Sequence, residues 1–138
     1  MPGLSTTSRM RLDTCHPELR RLVEAVAERA EILVVEGHRS KARQDAAVAA
    51  GASKTPWPTS KHNALPSRAV DLAPLKGGTI DWQDAAGFIA LGRLVQEVAR
   101  EQGIAVRWGG DWDGDGKTRS DGDRDERFVD LPHFELRG

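Results

Sequence analysis

The sequence predicts one α+β domain built on a small, mostly antiparallel sheet. Three features carry that reading. Apolar residues recur at helical spacing in two long stretches. Short runs rich in β-branched residues lie between them, and the elements follow the order α-β-α-loop-β-α-β-loop-β. The chain has 138 residues, enough for one domain and too few for two comfortable ones. No repeat and no interdomain linker divides residues 1–138.

Residues 1–15 read as an N-terminal extension. "HPELRRLVEAVAERA" then places Leu19, Leu22, Val23, Val26, Ala27 and Ala30 on one stripe, with Pro17 suited to a first helical turn. "EILVVEG" is a short β-branched run ending in Gly, a strand. "KARQDAAVAAG" is Ala-rich and stops at Gly51, a helix. "ASKTPWPTSKHNALPS" holds Pro56, Pro58 and Pro66 among small polar residues and reads as loop. "RAVDLAP" alternates and is a strand. "DWQDAAGFIALGRLVQEVAREQG" is the strongest helix. Asp81 is the expected cap, Phe88, Leu91, Leu94, Val95 and Val98 line one side, and Gly103 ends it. "IAVRW" is a strand, residues 109–127 form an Asp- and Gly-rich loop without periodicity, and "RFVDLPHFEL" closes the sheet.

Hydrophobic residues make up 38% and charged residues 30%, the balance of a soluble globular chain. The formal net charge of −1 gives no global electrostatic argument for nucleic acid or an anionic membrane. Cys15 is alone, so no internal disulfide forms. The first residues lack the apolar core of a secretory signal, and nothing later reaches spanning length. The expectation is a monomer made in the cytoplasm. To act outside that compartment it needs another protein to release it.

The four histidines are His16, His38, His62 and His133. His16 precedes Pro17 at a helix start and reads as a surface or capping residue. His62 sits in the Pro-rich loop, and Asp71 follows nine positions later in "RAVDLAP". Side chains alternate along a strand, so Val70 and Leu72 share a face and Asp71 points away from it. A carboxylate among apolar neighbours needs a partner, and an arginine would serve as well as a metal. The last strand repeats the pattern, with Val129 and Leu131 on one face and Asp130 on the other. Pro132 marks an edge or a bulge, and a bulge would re-aim His133 toward the Asp130 side. His62, Asp71 and His133 are the residue types of a catalytic zinc site with three protein ligands, and Asp130 is then a candidate base. His–Asp pairs also serve as plain structural hydrogen bonds.

These residues carry a resemblance. "SKHNALPSRAVDL" is similar to the Ser-x-His…Ala-x-Asp signature of the zinc metallopeptidases that include D-alanyl-D-alanine carboxypeptidases and L-alanyl-D-glutamate endopeptidases. "RWGGDWD" followed by "DLPHFEL" resembles the terminal signature of the phage endolysin branch, and "EGHRSKARQ" resembles its Gly-aromatic-Arg-Ser…Gln segment. The match runs from about residue 32 to residue 136. Two departures are Leu65, Pro66 and Ser67, which lengthen the His-to-Asp loop, and His38 where an aromatic ring is commoner. The resemblance implies the Hedgehog/DD-peptidase fold. It implies zinc on His62, Asp71 and His133, a general base at Asp130, and a substrate or transition-state contact from Arg39. Read without it, Arg39 is a surface ion pair at a strand end.

The function so implied is that of a zinc-dependent peptidoglycan hydrolase of phage-lysin type, cutting the L-Ala–D-Glu bond of the stem peptide. The alternatives are a D-Ala–D-Ala carboxypeptidase or dipeptidase, and a cell-wall-binding module that has lost hydrolysis. Ser60 either orients the His62 loop or touches substrate. Trp108 reads as a core ring, and Trp112 as either a core ring or part of a substrate groove. Asp111, Asp113 and Asp115 stand at positions 1, 3 and 5 of a calcium loop with Gly116 at position 6. Position 12 is Gly122 rather than Glu, which leaves Asp121 or Asp123 to supply the missing carboxylate. Regulatory calcium and a solvated acidic loop both fit this segment.

Overall fold

The apolar stripes of the helices pack on one face of a four-stranded sheet. The computed structural model describes residues 3–53, 55–111 and 130–137. In chain order the elements are α1 (Thr6–Leu12), α2 (Pro17–Ala27), β1 (Ile32–Glu36), α3 (Lys41–Ala49), a 3-10 turn (Lys61–Asn63), β2 (Ala69–Pro74), α4 (Ala85–Gln102), β3 (Val106–Trp108) and β4 (His133–Leu136). The strands lie in the order β1-β2-β4-β3, and every neighbouring pair is antiparallel. The α+β class and the antiparallel sheet expected from the sequence are present.

Residues 1–15, read as an N-terminal extension, contain α1. Ser5 caps it by accepting from the Ser8 amide at 3.1 Å, and Leu12 and Cys15 join the core. Cys15 is 1% exposed, and burial above all pushes its thiol up to about 11. His16 accepts from the Glu18 amide through Nδ1 at 3.1 Å, so it is a cap. Helix α4 ends at Gly103 in the left-handed region (φ 69°), where glycine carries no β-carbon penalty. Its cap is Asp84 rather than Asp81. The Asp84 carboxylate accepts from the Gly87 amide at 3.1 Å, while Asp81 holds the preceding turn through the Gln83 amide.

The core face of the sheet carries Ile32, Val34, Val70, Leu72, Trp108, Phe134 and Leu136, all buried. Trp108 is the expected core ring: it stacks on Phe134 at a 9° interplanar angle and donates its indole N–H to the Leu131 carbonyl at 2.8 Å. Helix α3 has no such stripe. Its buried residue is Gln44, whose side chain donates to Ser53 Oγ at 3.0 Å and to the Thr55 carbonyl at 2.6 Å.

Candidate metal centre

The opposite face of the sheet is polar, and three adjacent strands place Glu36, Asp71 and His133 side by side in register. A bulge makes this possible. Val34 pairs with Leu72, yet Glu36 pairs with Asp71, so two residues of β1 oppose one of β2. In a regular strand Glu36 would share the core face with Val34. The extra residue turns it to the Asp71 side. The bulge expected at Pro132 is therefore found in β1 instead, and Asp130–Pro132 form a turn that leads into β4. The His133 amide donates to the Asp130 carbonyl at 3.0 Å and the Leu72 amide to the Pro132 carbonyl at 2.9 Å. Phe128 and Val129, read as the start of this strand, lie outside the described residues.

His62 arrives from the Pro-rich loop. Ser60 caps the short 3-10 turn: its Oγ accepts from the His62 amide at 3.2 Å, and Asn63 Oδ1 accepts from the Ser60 amide at 3.2 Å. The Arg39 amide donates to the His62 carbonyl at 2.7 Å, and Asn63 Nδ2 donates to the Arg39 carbonyl at 3.0 Å. The three residues that lengthen the loop leave Leu65 in solvent at 73% exposure. Ser67 returns to the N-terminal segment, donating to the Thr14 carbonyl at 2.7 Å and accepting from the His16 amide at 2.8 Å.

His62 Nε2 lies 3.1 Å from Asp71 Oδ1 and 3.3 Å from His133 Nδ1, and His133 Nδ1 lies 3.3 Å from that same Asp71 oxygen. The outer nitrogen of each ring is already committed. His62 Nδ1 is 2.7 Å from the Gly37 carbonyl, and His133 Nε2 is 2.8 Å from Glu135 Oε1. Both acceptors take an N–H there, so when the rings are neutral the two inner lone pairs face each other and a carboxylate. Such a triangle could hold a metal ion. Ligands about 2.0–2.1 Å from a tetrahedral ion lie about 3.3 Å apart, so the donor atoms already form one face of that tetrahedron. The residues fit a small divalent metal.

The electrostatics agree. Burial would raise the Asp71 pKa, but the charge of His62 and hydrogen bonds from both imidazoles hold its carboxyl well below the usual carboxylate range. Burial would lower the His133 pKa, but hydrogen bonds to Asp71 and Glu135 lift it to about 9. Without a metal the carboxylates draw a proton onto His133, and a metal must displace it.

Asp130 stands beside this triangle with Oδ2 4.0 Å from His133 Nδ1. Burial first, then the Asp71 charge, raises its pKa. Arg39 reaches from the other side, Nη2 lying 3.7 Å from Asp71 Oδ2. It is ion-paired as its isolated reading foresaw, but in the cleft rather than on the surface. Its Nε donates to Glu36 Oε1 at 2.6 Å and its Nη1 to Gln44 Oε1 at 2.9 Å. A cleft of about 360 Å³ opens over these groups, and Ser53, Thr59, Ser60, Lys61 and Glu135 also line it.

Sequence reasoning missed Glu36, Asn63 and Glu135, met Gln44 only as the last residue of the resembling segment "EGHRSKARQ" and gave it no role, and missed why the segment "WGGD" holds glycine. Gly109 donates to the His133 carbonyl at 2.8 Å and accepts from the Asp130 amide at 2.9 Å. A β-carbon on Gly109 would sit 2.1 Å from the Asp130 carbonyl oxygen. Gly109→Ala is therefore expected to push the Asp130 turn off β3. Overpacking of this kind costs about 1–3 kcal/mol, visible as a lower unfolding midpoint together with weaker metal uptake. Unchanged metal affinity in a titration would show that the turn does not depend on this approach.

Of the residues considered for calcium, Asp111 is buried against α4 and accepts from Gln96 Nε2 at 3.3 Å. Asp113, Asp115, Asp121 and Asp123 lie outside the described residues, as does Trp112.

Fold and centre together define a class: a small α+β domain with a two-histidine, one-carboxylate cluster at the floor of an open cleft. The chain belongs to the phage L-alanyl-D-glutamate peptidase family, whose family model matches residues 3–137. It is 32% identical over 111 residues to the L-alanyl-D-glutamate peptidase of Escherichia phage T5, covering 79% of this chain and 80% of that one. It is 34% identical over 106 residues to the L-alanyl-D-glutamate peptidase of Listeria phage A118, covering 77% of this chain but only 30% of that longer relative. The crystal structure of the L-Ala D-Glu endopeptidase ChiX of Serratia marcescens superposes with a TM-score of 0.75 at 31% identity, over 99% of this chain and 91% of that one.

Proposed function

We propose that this protein is a zinc-dependent peptidoglycan hydrolase of the Hedgehog/DD-peptidase fold that cuts the L-Ala–D-Glu bond of the stem peptide. The observation that carries this reading is the triangle of His62 Nε2, His133 Nδ1 and Asp71 Oδ1, with sides of 3.1, 3.3 and 3.3 Å. Two imidazoles and one carboxylate form a donor set typical of catalytic zinc. The names of the relatives supply the bond.

A zinc ion held there would act as a Lewis acid and would lower the pKa of a bound water from 15.7 toward about 7. Asp130, with Oδ2 4.0 Å from His133 Nδ1, would take the proton of the attacking water. Its raised pKa suits the return of that proton to the leaving amine, a role worth about 10²- to 10⁴-fold. Arg39 presents a guanidinium held by Glu36 and Gln44. Because its partners fix it before substrate arrives, it can stabilise the oxyanion of the tetrahedral intermediate without reorganising. Ser60 holds the His62 turn. Among the described residues no helix is long and apolar enough to cross a membrane.

Digestion of purified peptidoglycan, with mass spectrometry of the products, tests the reading. New D-glutamyl amino termini are expected, a chelator should abolish them, and added zinc should restore them. Released D-alanine would select the carboxypeptidase alternative. Binding to the wall with no new amino groups would select the binding module. Hydrolysis indifferent to chelation would remove the metal from the mechanism.

A further inference from the structure

The cleft does not end at Asp130. The same side chain walls a second recess of about 300 Å³, whose other lining residues are Trp82, Ala85, Phe88, Leu131 and Pro132. Trp82 is 55% exposed, whereas Phe88 beneath it is 3% exposed. The two rings stack with centroids 5.6 Å apart and 24° between their planes. One face of the indole is thus covered and braced, and the other is left open at the mouth of the recess. Tryptophan, with an apolar ring and a polar N–H, is enriched at binding interfaces.

The two arms of the cleft differ in charge. The main arm holds two cations, Arg39 and Lys61, alongside the carboxylates of Asp71 and Glu135. Among the described residues that wall the Trp82 arm there is no cation, and its one charged group is the Asp130 carboxylate. A peptidoglycan stem has the matching asymmetry. On the D-glutamyl side of the scissile bond it carries free carboxylates, which the Asp130 carboxylate, the one charged group among the described residues of this arm, would repel. On the L-alanyl side, one residue away, it is joined to the lactyl ether of a muramic acid, a neutral pyranose once its carboxyl is in amide linkage. The C–H face of such a ring is apolar and flat, and its hydroxyls stay at the rim in water.

We propose that the Trp82 recess is a saccharide subsite, which stacks the muramyl sugar of the glycan strand on the open indole face and so sets the direction in which substrate lies. This rests on the peptidoglycan reading above. The sugar and L-alanine lie toward Trp82, the scissile bond lies at Asp130, and the carboxylate-bearing remainder lies toward Arg39 and Lys61. Trp82 then contributes to glycan-bearing substrates and to nothing else.

The test compares a muropeptide carrying its disaccharide with the same stem peptide free of sugar, in the parent and in Trp82→Ala. A titration with the free disaccharide, followed by the Trp82 indole N–H signal, runs alongside. The expected result is about a ten-fold rise in KM for the muropeptide, the loss of one aromatic face, with kcat unchanged and the sugar-free peptide unaffected. Trp82→Phe should recover most of the difference. The disaccharide should shift the indole signal in the parent. Equal losses on both substrates, or no loss on either, would overturn the subsite. A disaccharide that shifts the indole while the muropeptide goes uncut would keep the subsite and remove the peptidase reading. Efficient cleavage with no sugar preference would do the reverse.

Discussion

His133→Ala is expected to lose metal and hydrolysis together. The substitution removes one of the three donor atoms that stand 3.1–3.3 Å apart, and it leaves two ligands where a catalytic zinc site uses three. Glu135 then has no imidazole N–H to accept from, though Lys61 remains 3.4 Å from its other oxygen. Polarisation by a metal is worth several kcal/mol, and each 1.36 kcal/mol is a factor of ten in rate, so a loss of about 10³-fold or more should be measured. Elemental analysis of the purified variant should give zinc well below one equivalent. The fold should survive, because Phe134, Trp108 and Leu136 on the other face of the sheet hold the core, and circular dichroism checks this. A variant with full zinc and no activity would make His133 a catalytic group rather than a ligand. A variant with full activity would dissolve the centre altogether.

The parts of this site that were legible in the sequence are those set by strand alternation. In "RAVDLAP" the apolar residues at Val70 and Leu72 leave Asp71 on the far face, and the structure has it there. Glu135 was open to the same logic, since it stands two positions after His133 and therefore on the same side of β4. Glu36 was not. Periodicity puts it with Val34 in the core, and only the bulge, a property of how β1 pairs with β2, turns it toward Asp71. Gln44 was marked only by the resemblance of "EGHRSKARQ", and local physics hid its role. In an Ala-rich helix it looks like one more solvated polar residue, but the helix is docked through that amide rather than through an apolar stripe. The approach of His62 to Asp71 depends on contacts across the chain, among them the Arg39 amide to the His62 carbonyl, which no local pattern encodes. Motif resemblance brought those residues together where local physics could not.

Asp130→Asn should separate chemistry from structure. Asparagine keeps the shape and the backbone bonds of the turn, in which the Asp130 amide donates to Gly109 and the Asp130 carbonyl accepts from His133. Zinc stoichiometry and the unfolding midpoint are therefore expected to stay close to the parent. The amide cannot accept a proton, so kcat should fall by about 10²- to 10⁴-fold, the range general acid–base catalysis supplies, while KM changes little. The midpoint has a reason to rise slightly, because the Asp71 charge and burial both disfavour the Asp130 carboxylate, and an uncharged side chain relieves both. That combination, lower turnover in a protein at least as stable as the parent, is what a residue kept for its chemistry should show. Loss of zinc with loss of turnover would instead make Asp130 a support for the metal, and near-normal turnover would move the base elsewhere, leaving Glu135 as the remaining carboxylate among the described residues that line the cleft, beyond the proposed ligand Asp71.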